Sequence, residues 1–406
     1  MIASMQTEGR VSSLHVVHIV LALDVGGLER NVVNQVREGQ KLGQRVSLVC
    51  LDRPGILAPQ VQALGARLVS LGREPGLRPG MVLRVRRALH DLRPHVVHTH
   101  QLATLLYGGA AAKLLGVPVV LHTEHTREDY HIRMRTRLLG RIAAQFCDRF
   151  YCLTRNMADH VLAAQVVPKC KLRIIQNGID LGKFMESNCD RNDVRRSLRI
   201  PLDAPLIGTV GRVTEVKQQH VLIRAFAQVR HRVHNAHLVI VGDGPLMDKL
   251  RWLAASLGVG NCVHFAGAQP HSGPYLQAMD VFALTSQSEG MPQAVLEASV
   301  TGLPVVASHV GGLPEVIQHE ISGILFEPGN VPSLAAILCG LIADPQRRQQ
   351  LGAAARARVS SRFSVARMAR EYHRDTLEML RARRSDWRSA AKIDGVGAAT
   401  MMETGR

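Results

Sequence analysis

The chain has 406 residues, 46% of them hydrophobic, which is enough for two domains with cores and too apolar for a chain disordered throughout. Aromatic residues make up only 4%, against stacking platforms for single-stranded nucleic acid, while a net charge of +17, heavier in the first 180 residues, suits phosphorylated substrates, acidic lipid headgroups or nucleic acid, among which charge alone does not choose. Seven cysteines are scattered at positions 50, 147, 152, 170, 189, 262 and 339 with no C-x-x-C pair, so the expectation is a reducing compartment, no zinc site and no disulfide framework.

The first strand pattern, HVVHIVLAL at 15–23, is too short to span a bilayer and follows a polar start without the marks of a secretory signal. It runs into Asp24-Val25-Gly26-Gly27-Leu28-Glu29 and then a helix over 28–42. Glycines at such a turn let backbone N–H groups approach an anion, and the helix N-terminus favours negative charge. The same residues also make an ordinary tight turn, so alone they decide nothing.

Strands follow at 45–51, 66–71, 95–100, 118–124, 149–154 and 172–178, with amphipathic segments at 58–64, 80–92, 102–115, 134–146 and 155–165 between them. This rhythm implies a parallel sheet with helices on both faces. His15, His18, His95, His98 and His100 lie in or beside strands. They read as structural and stay outside the catalytic set, although His98 and His100 stand near the end of HVVHTH. Segments 80–93 (Arg84, Arg86, Arg87, Arg93) and 127–141 (Arg127, Arg133, Arg135, Arg137, Arg141) place cations beside Val82, Leu83, Leu138 and Leu139. Such helices suit an anionic bilayer; a solvated face is the competing reading.

Residues 181–203 are polar and mixed, as a linker is, and then the rhythm restarts. Strand patterns occupy 205–212, 237–244, 262–267, 281–286, 304–308 and 323–328; helices occupy 217–233, 246–257, 273–278, 292–302, 313–318 and 331–343. A long amphipathic helix at 365–383 precedes a thin stretch beyond Trp387. The expected plan is a Rossmann-like domain over 1–180, a linker over 181–203 and a second Rossmann-like domain over 204–362. A helix over 363–385 packs back on the first domain, and 388–406 form a disordered tail. Ligands of open parallel sheets sit beyond the carboxyl ends of the strands, so two facing sheets place the site in the interdomain cleft.

Each motif of the second half lies just after a strand. Gly211-Arg212, with Lys217 five residues on, offers a fork and a point charge for a diphosphate, or simply a solvated basic turn. Gly242-Asp243-Gly244-Pro245 and Gly311-Gly312-Leu313-Pro314-Glu315 are further strand-end turns. SQSEGMPQAVLE, at 286–297, holds Glu289 and Glu297 eight residues apart. On a helix, groups eight apart lie about two turns apart on one face; if helix starts near Pro292, Glu289 sits in the loop just before it. The two acids either grip two ends of one polar ligand or serve as a capping acid and a surface acid.

GR-x4-K, VGDGP, SEGMPQAVLEA and GGLPE, with DVGGLE and the HTEH segment, occur here in order and at familiar separations. Together they resemble family four of the retaining glycosyltransferases, over roughly residues 15–380. The resemblance implies the GT-B fold: α/β, two facing doubly wound Rossmann-like domains that use a nucleotide sugar in the cleft. Among relatives the chain is similar to bacterial exopolysaccharide and exosortase-associated sugar transferases, on LDVGGLE and GRVTEVKQQ.

Carried over, the resemblance places Glu289 at the donor-sugar hydroxyls, with Gly290, Met291 and Pro292 as its context. Glu297 takes the ribose, and Arg212 and Lys217 the leaving diphosphate. Gly26 and Gly27 approach the donor phosphate or acceptor, and His125, with His122 as competitor, approaches the sugar C6 hydroxyl. Gly211, Gly242 and Gly267 line the nucleotide. Gln218 departs from the family, many of whose members have Lys-Gly where this chain has Lys217-Gln218.

The implied reaction moves a hexose-type sugar from a UDP- or GDP-linked donor to a glycan or polyprenyl-linked acceptor with retention, in cell-surface polysaccharide synthesis. No cofactor or metal is expected, since the chain has no D-x-D motif. The expected location is the cytoplasm, peripherally on the inner face of the plasma membrane, with no nucleic-acid partner. A nucleotide-sugar epimerase of the same architecture and a non-catalytic sugar-nucleotide binder are the alternatives.

Overall fold

Runs of valine, isoleucine and leucine buried on both faces set the architecture in a computed structural model, which describes residues 13–24, 26–76, 78–125, 134–182 and 190–399. The first seven strands are β1 (His15–Val20), β2 (Arg45–Cys50), β3 (Arg67–Ser70), β4 (Val96–His100), β5 (Val119–Glu124), β6 (Arg149–Cys152) and β7 (Leu172–Ile174). They form one parallel sheet in the order β3-β2-β1-β4-β5-β6-β7. Six more, β8 (Leu206–Val210), β9 (His237–Val241), β10 (Val263–Gly267), β11 (Val281–Leu284), β12 (Val305–Ser308) and β13 (Ile324–Phe326), form a second in the order β10-β9-β8-β11-β12-β13. Every strand pairing in both sheets is parallel.

The strand order reverses between β1 and β4 in the first sheet and between β8 and β11 in the second. Such switch points leave a crevice at the carboxyl ends, because the chain leaves adjacent strands in opposite directions. The loops after β1, β8 and β11 carry DVGGLE, GR-x4-K and SEGMP. Topology thus gathers the sequence motifs before any side chain is considered.

Two helices lie outside the expected set. Pro345–Arg362 is helical, its first turn capped by Asp344, whose side chain accepts from the Arg347 N–H. Its buried residues are Leu351, Gly352, Ala355 and Val359, and a Cβ on Gly352 would stand 1.9 Å from the Gly302 carbonyl oxygen. Within the stretch read as linker, Asp190 caps a helix, Arg191–Ser197. Its Arg195 is fully buried, held by Asp280 and the carbonyls of Ala278, Pro201, Leu202 and Ala204.

The last helix, Val365–Ala399, runs past residue 387 into the stretch expected to be a tail. Its first turns lie on the first domain. Tyr372 OH is 3.1 Å from Thr123 Oγ1, and Tyr151 OH donates to Asp375 at 2.5 Å. Val16, Val96, Val119 and Leu121 share an apolar cluster with Val365 and Met368. The chain therefore crosses between domains twice, and the crossings touch. Ile179 N–H donates to the Phe363 carbonyl at 2.7 Å and Val365 N–H to that of Ile179 at 3.2 Å. No helix among the described residues is long and apolar enough to cross a membrane.

Candidate active site

Glu289 sits in the loop between β11 and the helix Gln293–Val300 and is only 9% exposed. Lys217 Nζ donates to its Oε1 at 2.5 Å, and so does Ser286 Oγ at 2.5 Å. Burying a carboxylate is costly without such charge-assisted partners. The loop is fixed from behind. Ser308 Oγ donates to the Ser286 carbonyl at 2.6 Å, and Gly312 N–H to the Glu289 carbonyl at 3.1 Å. Gly311 has φ +53°, and a Cβ there would stand 1.9 Å from the Glu289 carbonyl oxygen, so only glycine permits this approach. GGLPE therefore builds the Glu289 loop from beneath.

Glu297 lies on the helix Gln293–Val300, buried, accepting from Ser272 Oγ at 2.6 Å. Its other oxygen is 3.5 Å from Arg30 Nη1 of the opposite domain, and Arg30 Nη2 also donates to the Pro270 carbonyl. Pro292 is the N-cap residue of that helix, and Met291 is buried with its sulfur 3.2 Å from the Asn177 N–H. Gly27 begins the helix Gly27–Lys41, where a Cβ would meet Gln293 Cγ at 3.3 Å. The start of the first helix of one domain thus faces the start of the Glu297 helix of the other. Gly26, the N-cap, is packed against the Glu29 carboxylate, whose pKa burial raises and the Arg212 charge partly restores.

Lys217 belongs to a short turn, Glu215–Lys217, after β8. The turn hangs on β11 through Gln287 N–H to the Val216 carbonyl at 2.8 Å, and through Thr285 Oγ1 to the carbonyls of Lys217 and Gln218. Gln218 has φ +46° and ψ +41°. The position where the resemblance leads one to expect glycine is left-handed, so glutamine occupies a conformation that glycine takes without a Cβ penalty. Arg212 is exposed at the mouth, its carbonyl accepting from Gln219 Nε2 at 2.9 Å. Arg212 is not brought onto either acid; Lys217 and Arg30 are. Gly242 has φ +136° with the Gly211 carbonyl 1.9 Å from any added Cβ, and its N–H donates to the Gly267 carbonyl at 2.8 Å. The ends of β8, β9 and β10 are thereby tied together.

His125 follows β5 directly and lies against the acid loop, the His125 carbonyl being 2.9 Å from a Cβ built on Gly290. Burial pushes its pKa down to about 3, so the ring is neutral at pH 7. His122, the competing candidate, points elsewhere: it bonds Thr99 and packs on Phe150. His100 proves to be a neighbour of His125, their ring nitrogens 3.0 Å apart. Arg30, Ser272 and Ser286 complete the site and were not singled out from sequence. Arg30 stands one helical turn beyond Gly27, which is the one signal the sequence carried for it. Arg127 and Arg133, and Cys189, lie outside the described residues; the described cysteines are free thiols.

Residues 25–183 match the family Glycosyltransferase Family 4, and residues 190–358 match Glycosyl transferases group 1. A D-inositol 3-phosphate glycosyltransferase of Actinosynnema mirum is 30% identical over 366 residues, covering 81% of this chain and 86% of the relative. A GDP-mannose-dependent alpha-(1-6)-phosphatidylinositol monomannoside mannosyltransferase of Mycobacterium tuberculosis is 29% identical over 303 residues, 70% of this chain and 76% of the relative. A UDP-Gal:alpha-D-GlcNAc-diphosphoundecaprenol alpha-1,3-galactosyltransferase of Escherichia coli is 30% identical over 258 residues, 61% of this chain and 66% of the relative. Among solved structures, Anabaena HepE in complex with UDP and glucose superposes with a TM-score of 0.79 at 21% identity, covering 90% of this chain and 99% of that one.

Proposed function

The chain belongs to glycosyltransferase family 4 and has the GT-B fold, and from that premise we propose that it transfers a hexose-type sugar from a UDP- or GDP-linked donor with retention of configuration. The observation that carries the reading is the pair of acids at the β11 switch point, one held by a cation of its own domain and the other by a cation from the opposite domain. Lys217 holds Glu289 and Arg30 holds Glu297. The donor sugar's hydroxyls lie at Glu289, the ribose at Glu297, and the diphosphate between them beside the starts of the helices Gly27–Lys41 and Gln293–Val300.

Breaking the glycosyl–phosphate bond develops positive charge on the sugar and negative charge on the departing diphosphate. Lys217 and Arg212 stabilise the leaving group with positive charge, worth about 3 kcal/mol for the more sheltered Lys217 and less for Arg212 at the mouth. These cations take the part a divalent ion plays elsewhere, and no metal is required. Neutral His125 meets the sugar without adding a competing charge. The leaving phosphate assists removal of the acceptor proton on the same face, which preserves the anomeric configuration. Glu289 is bound to Lys217 and Ser286 rather than poised for attack, which supports this route over a covalent intermediate.

The relatives' GDP-mannose and UDP-galactose donors support a nucleotide-sugar donor. Their phosphatidylinositol and diphosphoundecaprenol acceptors support a lipid-linked acceptor, polyprenyl-linked or glycan-bearing, in cell-surface polysaccharide synthesis. Two basic helices of the first domain favour work at an anionic membrane on the cytoplasmic side. Met81–Leu92 exposes Leu83 among Arg84, Arg86 and Arg87, and Met134–Ala143 exposes Met134, Leu138 and Ile142 beside Arg135 and Arg141. A thermal-shift and hydrolysis screen with UDP- and GDP-sugars tests the donor, and NMR of the product anomer tests retention. No stabilisation by any nucleotide sugar, or an inverted product, sinks the corresponding claim. Flotation with phosphatidylglycerol vesicles at low salt tests the membrane face.

A further inference from the structure

His125 is the end of a line of imidazoles. Its Nε2 lies 3.0 Å from His100 Nδ1, and His100 Nε2 lies 3.0 Å from His18 Nδ1. The line is set by register: His18 on β1 pairs with His98 on β4, and His100 follows on the same face two residues on. All three rings are buried, and their line leads from the acid loop to a small cavity under the last helix. That cavity, about 30 Å³, is lined by His18, His98, Gln35, Tyr372 and Thr376. Its wall is mixed, and it has room for a water molecule beside the polar groups of His18 and Gln35. Two buried atoms at opposite ends of the line lack a protein partner: Nδ1 of His125 and Nε2 of Gln35.

Each ring is neutral. Burial takes His18 to about 4 and His125 to about 3 and holds His100 well below its usual value. A neutral imidazole carries one ring proton, so one nitrogen donates and the other accepts. Rings joined Nδ1 to Nε2 in series then have two consistent states. Either every ring is protonated on Nδ1 or every ring is protonated on Nε2. The second state would turn a His18 N–H toward a cavity where Gln35 already presents an amide donor. The first leaves His18 Nε2 as an acceptor there, which a water receiving from Gln35 satisfies.

We propose that His18 and His100 are positioning residues that lock His125 in the Nδ1–H form, so that the nitrogen left for the donor sugar is a hydrogen-bond donor to a hydroxyl oxygen. This rests on the reading that His125 meets the sugar. The lock removes a choice: free neutral histidine favours the other tautomer, and a ring fixed in advance needs no reorganisation when the sugar arrives.

The test is the histidine ¹⁵N–¹H long-range correlation spectrum of the labelled full chain without donor, for wild type and His18→Phe. His18 does not contact His125, so a purely local packing role would leave the His125 tautomer unchanged. The expected result is Nδ1–H at His125 in wild type and Nε2–H in His18→Phe, with kcat lowered about tenfold and donor KM within about twofold, as for a misoriented group. Nε2–H in wild type overturns the proposal, and so does Nδ1–H retained in the variant. Stoichiometric zinc or nickel in the purified protein also overturns it. One nitrogen from each of His18, His98 and His100 lies within 4.8 Å of the others, and a metal there would replace the ring protons. Should His18→Phe fail to fold, His18→Leu, which also lacks a donor, takes its place and the wild-type spectrum still decides the tautomer. The spectrum is read without donor, so a chain that transfers no sugar would sink the functional reading and leave this result standing.

Discussion

Acid should unfold this protein well before its carboxylates titrate. His18, His98, His100 and His125 are buried and held neutral by the cost of burying their charged forms. In the unfolded chain each binds a proton as pH falls through about 6.5, while in the fold it does not until about 4 for His18 and about 3 for His125. Between those values the unfolded state binds more protons, so stability falls as pH falls. His18 and His125 each contribute about 1.4 kcal/mol per pH unit, hence about 2 kcal/mol each at pH 5, and His98 and His100 act in the same direction. That is a large share of the whole stability of a domain, about 5–15 kcal/mol. Urea midpoints at pH 7, 6 and 5, with hydrogen exchange of peptides from 96–125, give the measurement. Peptides from 281–308, which contain no histidine, are the internal control. Protection that collapses first in 96–125 below pH 6 is expected. Equal protection in both regions from pH 7 to 5 would refute the reasoning, since it would mean the imidazoles are charged, or bound to metal, inside the fold.

Gln218→Gly should stabilise the protein by about 0.5–1 kcal/mol, because it removes a left-handed non-glycine residue; a lower thermal midpoint would contradict the conformation assigned to that turn. Gly311→Ala adds a methyl against the Glu289 carbonyl at a positive φ, and should cost about 2 kcal/mol and abolish the thermal shift given by the best nucleotide sugar. Glu297→Ala should raise donor KM about tenfold or more with kcat less affected, whereas Glu289→Gln should cut kcat about a hundredfold; unchanged kinetics in both would remove the site. Arg30→Ala should leave Glu297 without its partner from the other domain, and the thermal shift with UDP or GDP reads whether the nucleotide then binds more weakly.

The strand rhythm was legible because parallel strands buried on both faces leave nearly continuous apolar runs, as in VVLHTE and VVAS. The motif loops were legible because glycine and proline mark strand ends. Pro345–Arg362 escaped because it packs through small residues, Gly352 and Ala355, that add little apolar signal to a helix full of arginine and glutamine. Arg195 escaped for a related reason. Its segment reads as polar, and only the folded chain brings the carbonyls and the Asp280 carboxylate that satisfy its guanidinium. In the site, the acids and the basic turn could be read locally. Their partners could not: Arg30 reaches Glu297 across 267 positions of sequence, and Lys217 reaches Glu289 across 72. His18 and His100 looked like structural strand histidines because only β1–β4 register reveals that they share a face.

The two strands of chain that pass between the domains lie side by side, joined through Ile179, Phe363 and Val365, and a Cβ on Gly178 would come within 2.5 Å of Val365. A pair of adjacent straps works as a door hinge does. It leaves rotation about one axis soft and resists sliding or twisting of one leaf over the other. The two leaves can then swing apart to admit a substrate and return to the same alignment each time. Parting them would separate Arg30 from Glu297 while leaving Lys217 and Glu289, both carried on one leaf, in register throughout the cycle.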